Sequence, residues 1–207
     1  MQLYLSSYHL GNERNRLKSL ARSSRAAAVI ANALDYTDDV LRKAAGTARE
    51  IAELEHLGFE ARELDLREFF DHPSTLSARL AGVGLIWVVG GNSFLLRRAL
   101  KQSGLDEYLL HRKGDDALVY GGYSAGAVVV PPTLAGIEFV DPPDVLADRY
   151  DPEVIWDGLG LVSFSIAPHY KSDHPDSQSI GRVVEYFIDN KMLFKALRDG
   201  EVIVSSA

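Results

Sequence analysis

Residues 117–127, Ala-Leu-Val-Tyr-Gly-Gly-Tyr-Ser-Ala-Gly-Ala, run from an apolar stretch through a G-x-S-x-G turn into a helix-forming stretch. Few folds can hold such a segment. A serine raised on so sharp a strand-to-helix turn needs small residues on both sides, because bulk at Gly122 or Gly126 would collide with neighbouring backbone. The segment therefore belongs at the C-terminal edge of a buried sheet, with Ser124 Oγ lifted clear. The N–H of Ala125, at a helix N-terminus, then points where a carbonyl oxygen would gain charge. With a strand before it and a helix after it the pattern reads as a nucleophile elbow; without them, two glycines around a serine mark an ordinary left-handed turn.

The rest of the chain supplies the sheet. Short apolar runs at 3–8, 27–31, 59–66, 85–89, 117–120 and 162–167, with a late one at 201–204, alternate with segments whose apolar residues recur three and four apart. That alternation predicts a parallel sheet covered on both faces. Helices are expected at 12–23, from Val40 to Leu57 with Thr37 or Asp38 as cap and Gly58 as stop, at 93–103 and at 176–190. The stretch 131–157 carries Pro131-Pro132, Pro142-Pro143 and Pro152 and reads as a long irregular loop. Because it follows the elbow directly, it is expected to line the rim of a site. No repeat or linker divides the 207 residues, so one domain spanning 1–207 is expected.

Composition excludes several functions. A net charge of −7 without a basic run argues against nucleic acid or an anionic membrane as partner. The absence of cysteine removes disulfides, thiolate metal sites and a cysteine nucleophile. No charged leader with an apolar core precedes the first strand-like run, and no apolar run approaches the ~20 residues of a membrane span, so a cytoplasmic location is expected. Neither phosphate-cradling motif, G-x-x-x-x-G-K-[ST] or G-x-G-x-x-G, occurs.

In open α/β sheets ligands gather beyond the carboxyl ends of the strands. The run 85–89 exits into Gly90-Gly91-Asn92-Ser93, where the Gly91 N–H is a candidate second oxyanion donor and the plainer reading makes Asn92 a helix N-cap. The run 162–167 exits into Pro168-His169-Tyr170 and puts an imidazole at the edge where Ser124 would lie, a candidate general base. His174 competes for that role. His9, His56, His72 and His111 read as solvated or packed side chains. His169, Asp173 and His174 lack a fourth ligand at zinc spacing, so neither metal nor cofactor is expected.

Gly90-Gly91-Asn92, Gly122-Tyr123-Ser124-Ala125-Gly126, Pro168-His169-Tyr170 and Ala196-Leu197-Arg198-Asp199-Gly200 follow one another in the order found in the peptidase E (aspartyl dipeptidase) family, which also embraces the cyanophycinases. The chain resembles that family from about residue 85 to 204. The resemblance implies a serine peptidase on a single-domain, three-layer, doubly wound and mostly parallel sheet of the flavodoxin-like, class I glutamine amidotransferase-like kind. It implies Ser124 as nucleophile, His169 as base, and Gly91 and Ala125 as oxyanion N–H donors. For the acid it points to Asp199, one methylene shorter than the family's glutamate, with Glu138, Asp141 and Glu201 as rivals. Where aspartyl-specific members carry an arginine this chain has Ser179, so a strict aspartate preference is not expected unless Arg182 or Lys171 substitutes. Asn92, Tyr123, Ser179 and Arg182 are the residues expected to meet a small peptide substrate. An α/β-hydrolase-type esterase and a binding protein with a decayed triad are the alternatives, and monomer or homodimer is left open.

Overall fold

The computed structural model describes all residues, 1–207. Strands β1 (Gln2–Ser6), β2 (Ala26–Ile30), β3 (Glu60–Glu63), β4 (Leu85–Val88), β5 (Val119–Tyr123) and β8 (Val202–Ser206) form one sheet in the order β3-β2-β4-β5-β1-β8. All neighbours are parallel except β8, which runs antiparallel to β1. The strands β6 (Ser165–Ala167) and β7 (Phe194–Ala196) pair with each other, outside that sheet. This corrects the expectation that the run 162–167 joins the central sheet: the edge beside β1 is taken by β8.

Alternation along the strands splits the core in two. Leu3, Leu5, Ile86, Val88 and Tyr120 face one layer, with α4 (Ser93–Gln102), α5 (Leu105–His111), α6 (Ala125–Val128) and α7 (Ser177–Asp189). Tyr4, Leu85, Trp87, Val119 and Tyr123 face the other, with α1 (Arg14–Leu20) and α2 (Val40–His56). A short α3 (Leu76–Arg79) leads into β4. The cap of α2 is Asp39, which accepts the Arg42 N–H at 2.9 Å, one residue later than expected. Helix α1 is shorter than 12–23 because Glu13, at φ −99° and ψ 33°, and Ala21, at φ −80° and ψ 62°, leave the helical conformation on either side of it. The short α5 had no strong periodic signal.

The loop 131–157 is irregular apart from a 3₁₀ turn at Ile137–Phe139 and an isolated antiparallel bridge between Thr133 and Asp157. Two adjacent arginines of α4 hold it. Arg98 is fully buried and donates to the carbonyls of Pro143 and Glu153 at 2.8 Å, of Val145 at 3.3 Å and of Pro152 at 3.4 Å. Arg97 donates to Asp157 O at 2.8 Å and pairs with Asp106 at 2.9 Å. A proline-rich loop makes few internal backbone bonds, and the guanidinium donors supply what its carbonyls lack. Arg98→Met is expected to leave those carbonyls unpaired and to cost about 3 kcal/mol, a Tm lower by roughly 6–12 °C. Thermal unfolding measures the loss, and hydrogen exchange should show the protection lost first between residues 140 and 155.

Candidate active site

Ser124 stands at the end of β5 with φ 49° and ψ −117°, a conformation that L-residues avoid. The turn is held by close backbone packing. A Cβ at Gly126 would meet Val88 O at 2.3 Å, one at Gly122 would meet the same oxygen at 2.9 Å, and one at Gly90 would meet Ser124 Cβ at 2.9 Å. The register places Gly122 beside Val88 and Tyr123 beside Ser6, so the elbow lies between the ends of β4 and β1. The Ser124 N–H is held by the carbonyls of Ser7 and Ser6, at 3.2 and 3.3 Å. Neither the Gly91 nor the Ala125 N–H is engaged by a loop, cap or side-chain acceptor.

The parallel pairing of β6 with β7 brings His169 and Asp199 together. Ala167 lies opposite Ala196, Leu197 N–H donates to Ala167 O at 2.9 Å, and Tyr170 N–H donates to Leu197 O at 2.9 Å. Because both strands run the same way, their exits fall side by side, and His169 Nδ1 lies 2.6 Å from Asp199 Oδ1. Ser7, absent from the sequence-based expectations, completes the arrangement. Its buried hydroxyl donates to Asp199 Oδ1 at 2.9 Å and accepts the His169 N–H at 2.8 Å. The His174 ring stacks on that of His169 at 3.7 Å, and Tyr8 meets both edge-on. Burial is the main cause that pushes His169 below the ordinary histidine pKa. Asp199 opposes the shift and His174 adds to it.

The other acids lie elsewhere. Glu138 accepts the Gly136 N–H at 2.6 Å and Glu201 accepts the Arg198 N–H at 2.7 Å, each closing a local turn. Asp141 accepts the Ser93 N–H at 2.9 Å, and burial pushes its carboxyl up to about 6, with Ser93 opposing and Asp176 adding to the rise. Asp141 does, however, face the site. Ser124, His169 and Asp141 line one cavity of roughly 20 Å³ with Ser93, Asp176 and the apolar side chains of Val128, Ile137, Val140 and Ile180. The four residues expected to meet substrate are not in its wall. Asn92 caps α4 by accepting the Leu95 N–H at 2.8 Å, and its Nδ2 donates to Pro142 O at 3.0 Å, so its amide is engaged at both ends. Tyr123 points into the opposite core layer beside Trp87. Ser179 lies on α7 outside the cavity, and the exposed Arg182 lies over the Phe139 ring at 4.7 Å. Lys171 is exposed over Tyr170. Sequence reasoning missed Ser7, Ser93 and Asp176, each of which carries an ordinary turn or cap signal.

The sequence profile of peptidase family S51 matches residues 17–206. The chain belongs to that family. An uncharacterised peptidase of Listeria innocua is 38% identical over 120 residues, covering 58% of this chain and 54% of that protein. The peptidase E of Streptomyces coelicolor is 34% identical over 131 residues, covering 59% and 49%. The chain thus matches about half the length of these curated relatives. Among solved structures, a candidate peptidase E protein of Listeria monocytogenes superposes with a TM-score of 0.69 at 23% identity, covering 100% of this chain and 98% of that one. A peptidase from an acI-B1 Actinobacterium gives 0.67 at 18%, covering 99% and 83%. At these identities the likeness is one of fold, and it bears out the three-layer, mostly parallel architecture, while the match to family S51 bears out the peptidase E resemblance.

Two measurements test the geometry. Ser124→Gly removes a strained L-residue conformation that costs ~1–3 kcal/mol while adding ~0.5–1 kcal/mol of chain entropy, so it is expected to be about 1 kcal/mol more stable than the parent in denaturant melts. A loss of stability would mean that the turn carries no strain. An NMR titration of His169 is expected to have its midpoint below 6.5. Between that midpoint and 6.5 the unfolded chain binds the extra proton, so stability should fall as pH drops through the interval.

Proposed function

We propose that this chain is a serine exopeptidase of the dipeptidase type, which hydrolyses small peptides through an acyl-enzyme. The observation that carries it is the hydrogen-bonded His169–Asp199 pair facing the same small cavity as a strained, partly exposed Ser124. In this reading His169 Nε2, buried and without a partner, takes the proton of Ser124 Oγ as that oxygen attacks the scissile carbonyl. Asp199 accepts the other imidazole N–H, fixes the tautomer and stabilises the imidazolium. The N–H groups of Gly91 and Ala125 receive the developing oxyanion, each such donor being worth about 3 kcal/mol. The imidazolium protonates the departing amine, which leaves. A water, deprotonated by His169, then attacks the ester carbonyl, releasing the acid and restoring Ser124.

Cavity size favours trimming over internal cleavage. The space of roughly 20 Å³ is bordered by Ile137, Val140 and Asp141 of the loop 131–157, which supports the binding of a short peptide end over that of a long chain. Strict aspartate preference is not expected, because no lysine or arginine lines the cavity. The intact His169–Asp199–Ser7 arrangement speaks against a decayed binding protein.

Ser124→Ala is expected to lower turnover of a dipeptide panel by roughly 10⁶-fold, and a serine-directed phosphonate should label the parent at Ser124 alone. Asp199→Asn should lower kcat by up to ~10⁴-fold with the fold preserved. Turnover that survives Ser124→Ala would overturn the mechanism, and a mild Asp199→Asn beside a crippled Glu138→Gln would move the acid into the loop.

A further inference from the structure

Beyond its reacting groups, the cavity beside Ser124 has one chemical bias. Asp141 and Asp176 both line it, and no cation does. The two are not equivalent, since Asp176 lies 3.6 Å from His174 Nδ1 whereas Asp141 has Ser93 beside it, whose N–H it accepts, and no cationic partner. The mechanism above uses neither. Two buried polar atoms on the same wall have no hydrogen-bond partner, Ser93 Oγ in a residue 1% exposed and His169 Nε2 in one 2% exposed. Nucleophile activation accounts for the imidazole nitrogen and leaves Ser93 Oγ unexplained. Asp141 is a buried carboxylate without a cation, and burial lifts it to about 6 although Ser93 opposes the rise; the Ser93 hydroxyl beside it keeps lone pairs free to accept.

We propose that Asp141, with Ser93 Oγ, binds the N-terminal α-ammonium of the peptide substrate and thereby sets cleavage at the first peptide bond. This rests on the serine exopeptidase reading and adds the group that measures the distance from the chain end. Size selects the α-ammonium over a lysine or arginine side chain, because roughly 20 Å³ holds about one water-sized group and not a flexible chain. Distance selects it too. The α-nitrogen lies two bonds, about 2.5 Å, from the carbonyl carbon that Ser124 attacks, and one cavity holds both Ser124 and Asp141. The apolar wall of Val128, Ile137, Val140 and Ile180 lowers the local dielectric and strengthens the ion pair.

The test is equilibrium binding to the Ser124→Ala protein, read by calorimetry with Ala-Ala and with N-acetyl-Ala-Ala. The free-amine dipeptide is expected to bind at least about 30-fold more tightly, the scale of a charge-assisted hydrogen bond of ~2 kcal/mol. Adding Asp141→Asn should remove most of that difference by weakening Ala-Ala, with Asp141→Glu intermediate and Asp176→Asn closer to the parent. Matching thermal melts identify any variant that has failed to fold, and the glutamate variant then carries the test. Equal affinity for the two dipeptides, or an Asp141→Asn protein that still prefers the free amine, overturns the proposal. Binding without turnover keeps this outcome separate from the peptidase reading: loss of hydrolysis by the parent would sink the latter while leaving amine selectivity measurable.

Discussion

Ser7 ties the elbow at the end of β5 to the strand pair that carries the imidazole and the carboxylate, and its hydroxyl makes the link to that pair. It stands one residue past β1, accepts the His169 N–H and donates to Asp199, while the Ser7 carbonyl accepts the Ser124 N–H. The elbow, the imidazole and the carboxylate are thus referred to a single buried residue at the end of a central strand. A serine suits this buried place because one hydroxyl oxygen can donate and accept at once. Placement of this kind matters because misplacing a reacting group by an ångström costs about two orders of magnitude in rate.

Around that point, the site is held by elements that the sheet itself cannot supply. β6 and β7 lie outside the six-stranded sheet, yet their parallel pairing delivers both members of the His169–Asp199 pair to one end. On the other side the loop 131–157, with little regular structure, is made rigid by Arg97 and Arg98. Asn92 joins the two systems, capping α4 with its oxygen and holding Pro142 with its nitrogen, next to Asp141. The cavity is therefore a junction between a strained turn, a strand pair and an arginine-anchored loop.

A second buried carboxylate supports the site from beneath. Glu50 of α2 is fully buried, accepts the Trp87 Nε1–H at 3.1 Å and pairs with His9 Nδ1 at 2.5 Å. His9 contacts Tyr123, and Tyr8 reaches from the same turn to His169 and His174. A histidine that reads from its place in the sequence as unremarkable thus helps set the turn beside the base. Chain order carries no information about such a contact, because His9 and Glu50 are 41 positions apart and meet only through the tertiary fold.

What the sequence by itself determined was local and steric. The glycines at 90, 122 and 126 were legible as requirements of a sharp turn because no side chain fits there, and the apolar alternation declared a covered parallel sheet because buried strands need it. Ser124 and His169 were legible as residues leaving strand ends. Asp199 was singled out only through resemblance to a family, since the segment before it, Phe194-Lys195-Ala196, has no strand pattern of its own. The tertiary structure alone decided that β6 leaves the main sheet, that Ser7 joins the base to the acid, that Asn92 and Tyr123 turn away from the cavity and that Asp141 turns into it. Those outcomes depend on contacts between residues 30 to 192 positions apart. Their direction is set by how the layers pack, and no short-range pattern encodes it.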